Sequence, residues 1–363
     1  MEHKNSEKNK GFLARHGRMI STIAFISGFI WDGLTLTFVD LSGAAIILGI
    51  YLAVIAIGII VYQGISVRYE NGWKRKFANI IPYVIQFMFG TLFNASLIFY
   101  TRSADLSGSW PFLLFLLAVV FSNEIFRTKQ NHITFQVTLF FLAEFLFLVF
   151  ALPIVVGKIG ADIFVWSGLI SLAVLLVVVL SVSKVAKERS LEARRTRIFI
   201  VVLVYAFLNY GYFTNLIPPI PLALKDVGVF HSVVKINGSY TVKYEPAPSY
   251  VFWRKEDKVF HQVNDAPVYI WSAVFAPSAF SLSVYHEWYY FDTATNQWTL
   301  KSKTEFDMVG GRGGGYRGYS MKNNLLPGKW RVDITIGTGQ RLGRVFFDLV
   351  ATTTAPVLKT DSR

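Results

Sequence analysis

Seven apolar stretches follow one another along the first 217 residues, and they restrict the possible folds more than any other feature. Each has about 17 residues or more, the shortest length at which a helix crosses a hydrocarbon core of about 30 Å. The stretches span residues 19–38, 42–63, 78–101, 110–126, 133–156, 163–183 and 198–217. They predict an N-terminal bundle of about seven transmembrane helices, with the lipid bilayer as its surroundings.

Lysine and arginine are concentrated in alternate connections between these stretches. Arg102 and Lys158 are the only two in the connections on one side. About 17 lie on the other side, in residues 1–18, 64–77, 127–132 and 184–197. Because positive charge is enriched on the cytoplasmic side of membrane proteins, residues 1–18 are expected to be a basic cytoplasmic tail. Seven crossings then place everything after Pro218 outside the cytoplasm.

Composition and charge exclude several classes of protein. The chain is 53% hydrophobic and 16% charged, whereas soluble domains have about 25% charged residues. The formal net charge of +13 is explained by topology and by contact of the basic loops with anionic lipid, so no nucleic-acid partner is expected. The chain has no cysteine, which excludes disulfides, thiolate zinc sites and cysteine nucleophiles. No metal or cofactor site is predicted.

Pro218, Pro219 and Pro221 divide the chain into two parts. Proline lacks the backbone N–H and favours extended conformations, so the last membrane helix is expected to stop near Ile217. The predicted organisation is a tail, a transmembrane domain, a proline-rich connector, an extracytoplasmic β-sandwich and a flexible tail. Their ranges are 1–18, 19–217, 218–226, 227–353 and 354–363.

After about Val227 the apolar residues recur with a period of two, which is typical of strands. The segment 329–336 shows the pattern: Trp330, Val332, Ile334 and Ile336 point one way and the residues between them the other. Turn residues such as Asn237-Gly238 separate the segments. Seven or eight short strands predict a two-sheet antiparallel sandwich with immunoglobulin-like architecture. The fold class is therefore an α+β membrane protein.

Polar residues inside the apolar stretches form the first candidate site. They are Asp32, Gln86, Asn94, Asn123, Glu124, Glu144 and Asn209. Such residues are costly in lipid and usually face a bundle interior or a wet cavity. One interpretation is a proton- or cation-coupled site with Asp32 and Glu144 as carriers. The other is structural: both acids are protonated and hydrogen-bond to neighbouring helices, and Glu124 pairs with Arg127.

A glycine-rich segment in the C-terminal half, from Gly310 to Ser320, forms the second candidate site. It does not join a strand to a helix, so it is interpreted as a hairpin loop rather than a nucleotide-binding loop. Arginine and tyrosine side chains in this segment predict a contact surface for an anion, a glycan or a lipid headgroup. They are Arg312, Tyr316, Arg317 and Tyr319.

Catalytic patterns are not found. His231, His261 and His286 lack metal-ligand spacing, and structural roles are expected for them. The sequence contains neither a recognisable nucleophile elbow nor an HExxH motif. No catalytic residue is therefore predicted.

Several short motifs in the sequence are similar to those of a known family. In the C-terminal half they are "VYHEW", "GGRGGGYRGYS", "GKWRVDI" and "GQRLGRVFFDL", and in the apolar half "GFIWDGLTL", "FYTRSA" and "SNEIFR". The chain resembles bacterial multi-pass membrane proteins that end in the domain of unknown function numbered twenty-nine fourteen. The resemblance covers most of residues 19–352 and implies the pairing of a membrane bundle with this domain. It implies no activity. Four polar residues lie within the motifs that carry the resemblance: Asp32, Arg102, Asn123 and Glu124.

Two functions remain open at this point. The first is a non-enzymatic protein of the bacterial inner membrane. Its periplasmic or extracellular sandwich would bind a protein, glycan or lipid headgroup. The second is a transporter or membrane enzyme that handles a lipid or small solute through the intramembrane acidic and amide residues.

Overall fold

The computed structural model describes residues 41–68, 72–125, 133–186, 191–236, 238–251, 254–276, 281–309 and 316–363, with four single positions between residues 23 and 30. The chain divides into two compact units, which are described separately. One unit is helical and ends at Thr214. The other is rich in strands and consists of Asn215–Arg363 together with Arg102–Trp110.

Seven helices are described in the N-terminal half. They are α1 (Leu41–Arg68), α2 (Trp73–Ala78), α3 (Ile81–Ser103), α4 (Leu106–Ile125), α5 (Ile133–Val156), α6 (Ala161–Ala186) and α7 (Leu191–Phe213). Among the described residues, five helical stretches are long and apolar enough to cross a membrane, and Gly108–Val120 within α4 is a shorter apolar stretch. The predicted succession of apolar helices followed by strands is confirmed at this level. The predicted segment 19–38 lies almost entirely outside the described residues.

The helix α5 is largely buried and packs against its neighbours through aromatic rings. Phe145 packs against Phe164 of α6 and Tyr205 of α7, with ring centroids 5.4 and 6.0 Å apart. Gly168 of α6 allows this approach, because a Cβ there would lie 2.8 Å from a Tyr205 ring carbon and 2.9 Å from one of Phe145. Small residues at helix contacts are common in membrane bundles for this reason.

The helical unit ends before the prolines. Asn215, just beyond α7, has a φ of 58°, a left-handed conformation in which many helices end and which asparagine tolerates. The first strand then begins at Ala223. The connector predicted for 218–226 is therefore too long, because three of its last four residues already pair with a neighbouring strand.

Eleven strands are described in the second unit. They are β1 (Ala223–Phe230), β2 (Ser232–Ile236), β3 (Ser239–Tyr244), β4 (Val259–Val263), β5 (Val268–Phe275), β6 (Ser281–Asp292), β7 (Gln297–Val309), β8 (Tyr316–Lys322), β9 (Gly328–Ile336), β10 (Arg341–Thr352) and β11 (Lys359–Ser362). They form sheets in the orders β4-β10-β9-β6-β7, β1-β5-β8 and β11-β3-β2. Pairing between the described strands is antiparallel except between β4 and β10.

Two apolar clusters hold these sheets together. One joins the five-stranded sheet to β1 and β5 and contains Trp288, Trp330 and Phe347. The other lies on the opposite face of β5, where Trp271 packs with β2 and β3. The middle sheet is thus covered on both faces, so the described strands form three layers rather than the two predicted.

The C-terminal segment is a strand where a flexible tail was predicted. Residues Lys359–Ser362 pair with Thr241–Tyr244 of β3. Arg363 ends this edge with ion pairs to Asp226 and Glu256. The polar composition of 354–363 concealed this strand, because its stabilising contacts are backbone pairs and charges rather than an alternating apolar pattern.

Candidate functional site

A pocket of about 210 Å³ opens on the five-stranded sheet. Its walls come from β7, β9, β10 and the residue before β4. They are Lys258, Trp298, Lys329, Trp330, Phe346, Phe347 and Asp348. Drug-sized ligand sites begin at roughly 300 Å³, so this pocket matches a single ring or a headgroup.

Strand alternation explains why the pocket has both aromatic and charged walls. On β10, Phe347 points into the apolar core while Phe346 is 44% exposed on the outer face. Asp348 lies opposite Lys329 of β9 in the antiparallel register. Trp298 of β7 approaches Phe346 with ring centroids 6.0 Å apart. The outer face therefore has an aromatic floor beside a row of charges.

The charges at the pocket are exposed. Lys258, Lys329 and Asp348 are all solvent-exposed, and none of the ion pairs found among the described residues involves their side chains. Two ammonium groups against one carboxylate give the rim a positive balance. An anion is the complementary ligand.

Beside the aromatic floor, on the same face of the sheet, lies a half-buried charge network. Arg344 donates two hydrogen bonds to Asp333, with Nε–Oδ1 and Nη2–Oδ2 distances of 2.6 and 2.7 Å. Arg331 Nε lies 3.2 Å from the same Oδ1. The Arg331 guanidinium stands 4.3 Å from the Tyr289 ring centroid and 5.0 Å from that of Trp298. Asp333 therefore fixes the cation that packs on the aromatic wall.

The other end of the same sheet is occupied by residues 102–110. Arg341 Nε donates a hydrogen bond to Asp105 Oδ2 at 2.6 Å. Gly108 gives the guanidinium space, because a Cβ at that position would collide with Arg341 Nη2. Lys329 is six residues from Thr335 on β9, and Thr335 pairs with Arg341. At about 3.3 Å per residue, the pocket lies about 20 Å from this contact.

The predicted surface around the glycine-rich loop lies on β8, in a different sheet from the pocket. Arg317 Nη1 donates to the Arg363 carbonyl at 3.1 Å, and Tyr316 is half-buried. Tyr319 is 44% exposed and packs beside Tyr240 and Tyr269. Arg312 lies outside the described residues. A role of this surface in binding stays a prediction.

The structure buries three of the predicted intramembrane residues. Gln86 and Asn94 are buried on α3 and Glu144 on α5. Asn209 donates to the Tyr205 carbonyl of its own helix at 2.8 Å. Asp32 lies outside the described residues, as do the side chains of Asn123 and Glu124 at the end of α4. A carrier pair of Asp32 and Glu144 stays a prediction.

Two glutamines in the helical unit escaped the sequence analysis. Gln63 Nε2 of α1 donates to Gln136 Oε1 of α5 at 3.2 Å, and both residues are buried. Gln136 also lines a cavity of about 10 Å³ with Gln86, close to the least space that holds one water. Gln86 Nε2 and Glu144 Oε2 are buried without a hydrogen-bond partner among the described residues. The sequence signal that could have identified Gln63 and Gln136 is the position of these polar residues within apolar stretches.

His286 is fully buried between two serines. Its Nε2 lies 2.8 Å from Ser272 Oγ and its Nδ1 2.9 Å from Ser320 Oγ. Trp288 Nε1 also donates to Ser320 Oγ, at 3.1 Å. Burial lowers the pKa of His286 to about 3, so the ring is neutral near pH 7. With no solvent access, this group suits the structural role predicted for His286 better than proton transfer.

The other two histidines meet at Glu245. His231 Nε2 lies 2.8 Å from Oε1, and His261 Nδ1 lies 2.5 Å from Oε2. Burial alone would raise the pKa of Glu245, but the hydrogen bonds from His231 and His261 outweigh it and lower the pKa. The three side chains join the end of β1 to β3 and β4. Within the described residues, no group of three or more such side chains has an arrangement suited to a metal ion.

No curated protein matches this sequence. One solved structure, the Pseudomonas fluorescens alkylpurine DNA glycosylase AlkC bound to DNA containing an abasic site analog, aligns with 83% of this chain and 98% of its own at 11% identity. Its TM-score of 0.23 does not indicate a shared fold.

A family model matches the strand-rich unit. The matched segment, residues 282–349, contains Trp298, Lys329, Phe346 and Asp348 of the pocket. Lys258 lies outside it. The predicted resemblance is thus confirmed for the C-terminal region: residues 282–349 match the family described as "Protein of unknown function (DUF2914)".

Proposed function

We propose that this protein is a membrane-anchored binding protein whose β unit recognises an extracytoplasmic partner. The observation that carries the proposal is the pocket formed by Trp298, Phe346 and three charged side chains that form no ion pair with any residue the structure describes. Concave sites with an aromatic lining and a few polar groups are the usual form of a binding site. The proposal assigns no enzymatic activity, and the helical unit serves as the anchor.

The proposed architecture has seven membrane crossings, with residues 19–38 as the first and α4 as the fourth. The N-terminus is cytoplasmic in a bacterial inner membrane, and the β unit lies in the periplasm or outside the cell. Its five-stranded sheet and the sheet β1-β5-β8 would form an immunoglobulin-like sandwich, with β11-β3-β2 as an added layer. The asymmetry of lysine and arginine supports this topology.

The absence of cysteine makes the topology directly testable. Thr299→Cys and Arg194→Cys each add one thiol at an exposed position. A membrane-impermeant maleimide should label the first in intact spheroplasts and the second only after permeabilisation. Labelling of Thr299→Cys only after permeabilisation would contradict the proposed location of the β unit.

The binding role is tested with the full chain in lipid nanodiscs. Immobilised protein is incubated with solubilised envelope material, and the retained molecules are quantified by mass spectrometry. Trp298→Ala and Phe346→Ala should each reduce specific retention at least about tenfold, since aromatic anchors dominate many interfaces. Tyr319→Ala is the matched control: it removes an equally exposed aromatic from β8. Retention that depends on Tyr319 alone would move the site to the β8 surface.

A transporter or membrane enzyme is the second candidate. It is supported by Gln63, Gln136, Gln86 and Glu144, which are polar and buried on helices of membrane-spanning length. Glu144→Gln should then abolish coupled flux or lipid processing in proteoliposomes. Asn209→Ala is the control, because that amide bonds to its own helix. Equal activity of Glu144→Gln and the parent would rule out Glu144 as a proton carrier.

A further inference from the structure

The pocket on the five-stranded sheet combines an aromatic floor with a positive rim. We infer that it binds an acidic saccharide, meaning a hydroxylated sugar ring that bears a carboxylate or phosphate group. This inference rests on the proposed binding function and names its ligand class. Three features of the pocket support it: its floor, its charges and its rigidity.

The aromatic floor fits one face of a sugar ring. Trp298 and Phe346 present two rings at an interplanar angle of 61°, and the pocket volume is about 210 Å³. A pyranose has an apolar face of C–H groups that packs on such rings, while its hydroxyl groups remain at the rim. Aromatic side chains contribute large contact areas with little loss of conformational entropy, which suits a small ligand.

The charges select an acidic ring over a neutral or cationic one. The ammonium groups of Lys258 and Lys329 would bind a carboxylate or phosphate, and Asp348 would accept hydrogen bonds from hydroxyl groups. A quaternary ammonium ligand also favours aromatic walls. It would be repelled here by the two lysines, which outnumber the one carboxylate.

The floor is held in place before any ligand arrives. Arg331 packs on Trp298 with 5.0 Å between its guanidinium carbon and the ring centroid, and Arg344 lies 5.6 Å from that of Phe346. Arg344 is fixed by two hydrogen bonds to Asp333, and Arg331 forms an ion pair with the same carboxylate. A preorganised wall lowers the entropic cost of binding. The pocket also lies at the end of the sheet away from the contact between Asp105 and Arg341.

The test is a titration of the full chain in nanodiscs of zwitterionic lipid. Binding is measured by intrinsic tryptophan fluorescence and by calorimetry. The acidic probes are tri-galacturonic acid and glucose 6-phosphate, and the neutral probes are maltotriose and glucose. Inorganic phosphate is the probe for charge alone. At least one acidic probe should bind about tenfold or more tightly than its neutral counterpart and than phosphate. Binding should weaken as salt concentration rises.

Two sets of variants assign the binding to this pocket. Lys258→Ala combined with Lys329→Ala should abolish the preference for acidic probes, because both side chains are exposed and their loss leaves the fold intact. Phe346→Ala should weaken all sugar binding about tenfold, while Phe346→Tyr keeps a ring and should restore it. The near-ultraviolet circular dichroism of each variant verifies folding.

Three outcomes would overturn the inference. Equal affinity for acidic and neutral probes would remove the role of the lysines, and equal affinity for inorganic phosphate would reduce the pocket to an anion site. Failure of all saccharides to bind would also refute it. If retention of envelope material still depended on Trp298 in that case, the proposed binding function would stand with another ligand class. If that retention were lost as well, both would fall.

Discussion

At the scale of single residues, buried polar groups determine how the β unit responds to acid. His286 is neutral between Ser272 and Ser320, and Glu245 is held ionised by two histidines. Both pKa values are lowered, but by different causes: burial lowers that of His286, whereas hydrogen bonds from His231 and His261 lower that of Glu245 against the opposing effect of burial. Their contributions to stability, however, arise in different ranges of pH.

Acidification should destabilise the β unit through His286. The unfolded imidazole titrates near 6.5, whereas the pKa in the folded state is about 3. Between these values the unfolded state binds more protons, so the free energy of unfolding falls with decreasing pH, by at most about 1.4 kcal/mol per unit. His286→Gln should reduce this slope, although it costs about 1–3 kcal/mol at pH 7. Urea unfolding of both proteins between pH 7 and 4 measures this slope. An equal slope in His286→Gln and the parent protein would contradict the prediction.

Glu245 should contribute most at neutral pH. Its folded-state pKa is lowered, so its stabilisation is present above the unfolded value near 4.3 and is lost as the pH falls through the folded value. Glu245→Gln should lower the free energy of unfolding by about 1.5–3 kcal/mol at pH 7 and by less in strong acid. Glu305→Gln, at an exposed carboxylate, is the control and should cost less than about 1 kcal/mol.

At the scale of elements, close packing rather than polarity defines the helical unit. Stacked rings join neighbouring helices, as between Phe164 of α6 and Tyr212 of α7, whose centroids are 3.8 Å apart. Large apolar side chains such as Ile57, Val177 and Val202 instead remain exposed. Lipid matches those exposed surfaces, so association of the helices depends on fit at small residues.

Gly168 provides a direct test of that fit. Gly168→Ala places a methyl group against Tyr205 and Phe145 and should destabilise the helical unit by about 1–3 kcal/mol. Gly49→Ala is the matched control, because its Cβ would meet Phe147 at an ordinary 3.5 Å and alanine favours helices over glycine. Thermal unfolding in detergent should separate the two. Equal stability of both variants would contradict close packing at Gly168.

At the scale of the whole molecule, the five-stranded sheet carries both a charge network and the pocket that is proposed to bind a ligand. Asp333 holds two arginines that support the aromatic floor of the pocket. Arg341, on the same sheet, pairs with Asp105 of residues 102–110. Stability of the sheet and the shape of the pocket should therefore change together.

Asp333→Asn should affect both properties. It leaves Arg331 and Arg344 without their carboxylate in a half-buried position, which should cost about 3–5 kcal/mol of stability. Specific retention of envelope material should also fall, because the aromatic floor loses its support. Lys301→Ala is the control, at an exposed side chain of β7. Reduced stability with unchanged retention would separate the network from the pocket.

Local periodicity explains how much of this fold could be predicted. Apolar runs of helical length identify five described helices, since each such helix satisfies its own backbone in lipid. On β9 the period of two placed Trp330, Val332, Ile334 and Ile336 on one face, and all four are buried. Both patterns lie within single elements. The strand β11 was missed because its polar segment is held by backbone pairing, and the third sheet layer was missed because it depends on packing between strands that are distant along the chain.

The sequence by itself determined that a series of apolar helices precedes a set of strands, because helical and strand periods are properties of short segments. Only the tertiary structure decided where binding groups meet. Trp298 and Phe346 are far apart along the chain, and Lys258 precedes both by tens of residues. Strand register places Phe346 in the pocket floor and buries the adjacent Phe347 in the core. Register depends on pairing between distant strands, so the pocket exists only once the sheet has formed.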